Sequence, residues 1–290
     1  MVWSAIQDFV KESEMRIVND NLHVRMLPDV AKNYDLGLYT KAVDMWSDLV
    51  REISQIKIDY PDNKKSVFYI YFVPDDFYRG TEYEGASGRP EFCLDEDGFP
   101  KAVCQLQQKL HVKVSNLFGR VSKLHELAHC IHSKFGLQAR LFGEGFAEII
   151  PWYVLGYERR LPSHLEWMCT LPQIYTIQDY YDDKVPHTEK NREKIASFRS
   201  GYVSAYLLVR SIVSSIEERF KISPCSAVQK FLELWGDLGY VDAKEFASWC
   251  ANFAGMDPEK LIYTCEYQKE VLQKMKPTGK INVPPREIIR

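Results

Sequence analysis

The run His125-Glu126-Leu127-Ala128-His129 constrains this chain more than any other feature, because its spacing has chemical meaning only on a helix. Val121, Leu124, Leu127, Ala128 and Ile131 recur at helical spacing, and Gly136 supplies a stop signal behind Phe135. Four residues are about 400° of rotation and about 6 Å of rise, so the imidazoles of His125 and His129 leave one face on successive turns. Both can then reach one ion. Glu126 is turned by about 100° from His125, near enough to meet a water on that ion without ligating it. The alternative is a chance order of ordinary helix residues. With 7 His and 22 Glu in 290 residues, about 0.01 such runs are expected by chance, and the pattern is read as a metal site.

A catalytic zinc site usually has three protein ligands and an open fourth position. His132 lies close to the same face but about 10.5 Å along the axis from His125, too far for three rings to converge from one straight helix. It is read as a solvent-facing histidine or one that supports a ligand. The metzincin pattern would need Gly at position 132 and His at position 135; the chain has His132 and Phe135. Fifteen residues beyond His129 comes Glu144, within Phe142-Gly143-Glu144-Gly145-Phe146-Ala147-Glu148. This interval leaves room for one helix to end and a second to return across it. Glu144 is read as the third ligand, and Glu148, one turn on, as a carboxylate that accepts a hydrogen bond from a ligating imidazole and fixes its tautomer. An acidic first turn complementing the helix dipole is the bland alternative for both.

These residues resemble the gluzincin zinc metallopeptidases, including thermolysin and the zinc aminopeptidases, which share the H-E-x-x-H helix and a downstream glutamate on a second helix. Glu144-Gly145-Phe146-Ala147 is most similar to the aminopeptidase version, although Gly143 stands where those enzymes usually have Asn and the intervening segment is shorter. Tyr202-Val203-Ser204-Ala205-Tyr206-Leu207-Leu208-Val209-Arg210 resembles the helix that presents a tyrosine to the reacting carbonyl. Tyr202 falls on that position and Tyr206 is its rival; the bland reading is a packing tyrosine, one of 17.

The resemblance implies a thermolysin-like two-lobed α+β domain, a small mixed sheet with helices followed by a mainly helical lobe, and a zinc-dependent hydrolase of peptide or protein substrates. One Zn(II) on His125, His129 and Glu144 would lower the pKa of its water from about 15.7 to about 7. Glu126 would act as general base and Tyr202 would donate a hydrogen bond to the developing oxyanion.

Net charge is −3 and the sequence pI about 6.2, so no general positive field points to a nucleic-acid partner. No apolar run approaches the roughly 18 residues of a membrane span, and the start, with Asp8 and Glu12 among apolar residues at helical spacing, is not read as a signal peptide. The seven cysteines, Cys93, Cys104, Cys130, Cys169, Cys225, Cys250 and Cys265, have neither paired metal-binding spacing nor a secreted disulfide pattern. A reducing, cytoplasmic setting is expected. Nothing in the sequence sets the oligomeric state.

Periodicity predicts an amphipathic N-terminal helix, a strand over 22–26, a helix over 36–56 and a strand over 66–73. A hairpin follows, from Glu91–Asp95 and Lys101–Gln108 with Asp97-Gly98 as its turn. Its second strand is a candidate exposed edge for substrate addition. Pro151 should bend or end the helix carrying Glu144, and helical periodicity resumes over 191–219, 225–235, 243–254 and 258–274. The domains are read as 1–120, an N-terminal α+β lobe; 121–275, the zinc helices and a helical C-terminal lobe; and 276–290, a Pro-containing tail.

Two other classes compete. Peptide deformylases also carry H-E-x-x-H but take an upstream cysteine as third ligand, a role open to Cys93 or Cys104; their metal helix, however, lies near the end of a short chain. A non-catalytic metal-containing peptide-binding protein is the other, against which Glu126 argues, since a purely structural zinc site needs no base.

Overall fold

Phe68–Val73 forms β3, the centre of a five-stranded sheet, and all six of its apolar or aromatic residues are buried. Burial on both faces is what a continuous apolar strand requires. The computed structural model describes residues 8–28, 36–59, 67–74, 76–80, 88–91, 108–113, 120–132, 135, 140–154, 170, 191–236, 255, 257, 260 and 264–274. Among them no helix is long and apolar enough to cross a membrane. The chain divides into two compact units, 1–136 and 137–290.

In the first unit β1 (Glu14–Asn19) and β2 (Leu22–Met26) pair antiparallel, β2 and β3 parallel. β3 pairs parallel with β5 (Gln108–Lys113), which in turn pairs antiparallel with the edge strand β4 (Gly88–Glu91). A parallel β2–β3 pair needs a long crossover, and α1 (Leu36–Ser54) lies within that connection. Trp46, Leu49, Val50 and Ile53 make its buried stripe. The alternation in β2 buries Leu22, Val24 and Met26 and leaves His23 and Arg25 half-buried. On the face of β3 that carries Tyr69, Tyr71 and Val73, Phe9 and Val10 pack from the helical turn at residues 8–12. Arg25 donates to the Val10 carbonyl at 3.1 Å, placing a cation at that helix's C-terminal end.

Of the expected hairpin, the described residues show an antiparallel pair at 88–91 and 108–113, meeting the expected strands at Glu91 and Gln108. Residues 92–107 lie outside the described residues, and so does the expected edge over 101–107. Gln108 already pairs with Phe68, so β5 is interior and β4 is the edge. The pattern within each strand is local, whereas its partner and position in the sheet are not.

α2 (Arg120–His132) also belongs to the first unit and packs on α1, β4 and β5 there.

The second unit is helical where described: α3 (Arg140–Ile149), α4 (Asn191–Phe220), α5 (Pro224–Gly236) and α6 (Cys265–Lys274). After Ile149 the chain widens into a π turn over Ile150–Val154 rather than stopping. Pro151, which has no N–H to give the helix ladder, sits within it. α4 ends with Lys221 in the left-handed region, at φ 55°. There the Ile222 N–H returns to the Glu217 carbonyl at 3.3 Å, a closure that satisfies a terminal carbonyl. Ser223 then caps α5 by accepting from the Ser226 N–H at 3.2 Å, with Pro224 in the first helical position. Phe146 stacks on Phe231, joining α3 to α5. A buried Gln268–Ser204 hydrogen bond of 3.0 Å ties α6 to α4. The predicted helix over 243–254 and the tail at 276–290 lie outside the described residues.

Candidate metal centre

α2 forms because its apolar positions fall on one stripe: Leu124, Leu127, Ala128 and Ile131 are almost fully buried. Register with that stripe fixes where the polar residues point. The Nε2 atoms of His125 and His129 stand 3.0 Å apart with their rings at 87°. At that distance the pair is either a hydrogen bond, with one ring donating, or the edge of a coordination sphere. Zn–N bonds of about 2.0–2.1 Å in a tetrahedral arrangement place ligand nitrogens about 3.3 Å apart, so the rings need open by only a few tenths of an ångström. Both histidines are buried. Glu126 is half-buried.

α3 carries Glu144, whose Oε2 is sealed from solvent. One ligand atom from each of His125, His129 and Glu144 lies within 4.8 Å of the others. The residues read from the sequence as a ligand set are thus brought together. This spread exceeds the separation of about 3.3 Å between donors around a bound zinc ion. Two imidazoles and a carboxylate match the donor preferences of zinc, so the residues present fit the ion.

Gly145 has a separate steric reason. A Cβ there would sit 2.4 Å from the Ala205 carbonyl oxygen and 2.7 Å from Val209 Cγ2 on α4. Only glycine lets α3 approach α4 so closely. Ala205 and Val209 thereby mark the α4 stripe that faces α3. Tyr202 lies two turns before Val209 on that stripe, about 20° from it in rotation. It is half-buried; Tyr206 is buried, with its ring against Trp152 at 6.1 Å. Glu148 is half-buried one turn beyond Glu144.

Two residues of α2 matter more than their sequence reading suggested. His132 is not solvent-facing: it is buried, and its Nε2 lies 2.8 Å from Nδ1 of His129. Lys123, buried one turn before Glu126, was missed altogether. Burial pulls its ammonium down from 10.5 to about 8, while the nearby Glu126 carboxylate opposes the shift. The i,i+3 spacing of Lys123 and Glu126, and of His129 and His132, was the available signal.

Cys130 and Cys225 are not in disulfides; Cys130 is buried, and burial raises the pKa of Cys225. Neither is set up as a thiolate ligand or nucleophile. Cys93 and Cys104, the candidate ligands of the deformylase reading, lie outside the described residues, as do Cys169, Cys250, Asp95 and Asp97. No protein-family model, no curated protein and no solved structure matches this chain.

Proposed function

We propose that this protein is a zinc-dependent hydrolase of peptide bonds, built as a thermolysin-like two-lobed α+β domain and acting on a peptide or protein substrate. The approach of the His125, His129 and Glu144 ligand atoms to within 4.8 Å, beside a half-buried Glu126, carries this reading. His125, His129 and Glu144 would hold one Zn(II). Zinc held there supplies Lewis acidity, which makes water nucleophilic near neutral pH and polarises a carbonyl. Glu126 takes the proton of the attacking water and returns it to the departing amine. It can do both because it is next to the ligands in sequence yet faces a different direction around the helix. The Tyr202 hydroxyl donates to the carbonyl oxygen as negative charge gathers there.

The test is zinc analysis of the purified protein with a peptide-library hydrolysis assay, run on the native chain and on Glu126→Gln. About one zinc per chain is expected in both, with turnover lower in the variant by roughly 10²–10⁴-fold. Zinc bound without hydrolysis by the native chain would shift the assignment to a non-catalytic metal-containing peptide-binding protein. An absence of zinc, or full hydrolysis by Glu126→Gln, would defeat the proposal.

A further inference from the structure

We propose that His132 is a positioning residue that fixes the zinc-binding tautomer of His129, the hydrogen bond being imidazole to imidazole rather than imidazole to carboxylate. The inference rests on the zinc reading and deepens it. His132 stands three residues after His129 on α2, about 300° round and about 4.5 Å along the helix, so their rings are neighbours on one surface. The contact is close: Nδ1 of His129 to Nε2 of His132 is 2.8 Å, and the rings cross at 72°. It is also dry, since His129 and His132 are 9% and 4% exposed and water has little access to either.

The two nitrogens of His129 are therefore assigned different work by their neighbours. Nε2 points at Nε2 of His125, toward the ligand set. Nδ1 points at His132. A neutral imidazole binds a metal only through a nitrogen that carries no proton, so metal at Nε2 requires the proton on Nδ1. Nε2 of His132 must then accept that proton's hydrogen bond, which places the proton of His132 on its own Nδ1, an atom also sealed from solvent. Each ring's tautomer follows from the one before. Ligating histidines usually give the second N–H to a carboxylate, a backbone carbonyl or water. Here the acceptor is uncharged, so it orients His129 without adding a negative charge beside the ion.

The experiment measures zinc affinity by competition with a chromophoric chelator, on the full chain, for the native protein, His132→Leu and His132→Gln. Leucine keeps the buried volume and removes the acceptor; glutamine keeps an acceptor at similar reach. His132→Leu is expected to bind zinc about 10–100-fold more weakly, and His132→Gln to recover most of that loss, a rescue that a packing role would not produce. Nitrogen NMR of the zinc-loaded native protein, labelled at histidine, gives a second measurement that stands if the leucine variant does not fold. The expected result is a proton on Nδ1 of His129, slow to exchange with solvent, and the metal on Nε2. Undiminished zinc affinity in His132→Leu, or an unprotonated Nδ1 on His129, would overturn the inference and leave the zinc site standing. A native chain that takes up no zinc would instead remove the reading beneath it.

Discussion

α2 and α4 both bury charged and polar side chains, and they neutralise them by opposite means. In α4, Arg210 is 1% exposed, yet the protein itself surrounds its charge. The guanidinium lies 3.6 Å from the centroid of the Tyr153 ring and donates to Ser214, while the Tyr153 hydroxyl donates to Glu217. Cation, ring, hydroxyl and carboxylate are all supplied from the second unit. Burial and the Glu217 contact both raise the Tyr153 phenol, which keeps it a neutral donor. In α2 the buried imidazoles of His125, His129 and His132 face one another along one surface. That surface gathers lone pairs, and two of its nitrogens share a focus with a carboxylate. Equal burial of polar groups can thus signify a closed structural network or a set of donors suited to an added cation. The sign of the facing groups distinguishes them.

The comparison breaks most decisively if α2 holds its structure and chemistry without a cation. On the proposed ligand set, His129→Ala should take bound zinc from about one per chain to nearly none, because it removes one of the three donors. Added zinc should raise the unfolding temperature of the native chain and not of this variant. Equal zinc-dependent stabilisation of both proteins would show that His129 is not a ligand.

Arg210→Leu tests the other side. It removes the buried stacking on Tyr153 and the hydrogen bond to Ser214, a loss of about 2 kcal/mol in denaturant unfolding. The loss should be the same with zinc and with a chelator, since the network contains no donor set open to an ion. A loss that zinc abolishes would merge the two regions into one system.

Lys123 sharpens the comparison at the point where α2 buries a cation of its own. Its folded-state pKa, about 8, is below the ordinary 10.5. Between those values the unfolded chain holds a proton that the folded chain has released, so stability of the zinc-free protein should rise with pH across that window. Below pH 8 both states are protonated and the penalty for burying the charge is fully present, at most about 3 kcal/mol. Lys123→Met should therefore stabilise the zinc-free protein at pH 7 and flatten its rise between pH 8 and 10.5. Unfolding free energies with the same pH slope in both proteins would rule out this account of Lys123.

Much of the local structure was legible. The periodicity expected over 36–56 and 191–219 corresponds to α1 at Leu36–Ser54 and α4 at Asn191–Phe220, since side-chain period is a property of a short stretch of chain. The apolar run expected as a strand over 66–73 is β3. What escaped was pairing and burial. Pro90 in Gly88–Glu91 was an unread mark of an edge strand, since proline has no N–H to give a second ladder; that Gln108–Lys113 is interior depends on β3 lying beside β5. Gly145 was read only as a neighbour of Glu144; its reason is the Ala205 carbonyl, sixty residues away in the chain. His132 lay at the right spacing to meet His129, but spacing does not say whether a helix face is wet or dry.

By itself the sequence determined that His125 and His129 share a face with Glu126 turned aside, because helical rotation per residue is the same wherever the helix is placed. It also offered Glu144 as a third donor, with Cys93 or Cys104 as the rival. Only the tertiary structure decided that this face is buried, that a Glu144 oxygen comes within 4.8 Å of both imidazoles, and that His132 meets Nδ1 of His129 out of water. Burial and convergence come from packing between segments distant in sequence, which no local period encodes.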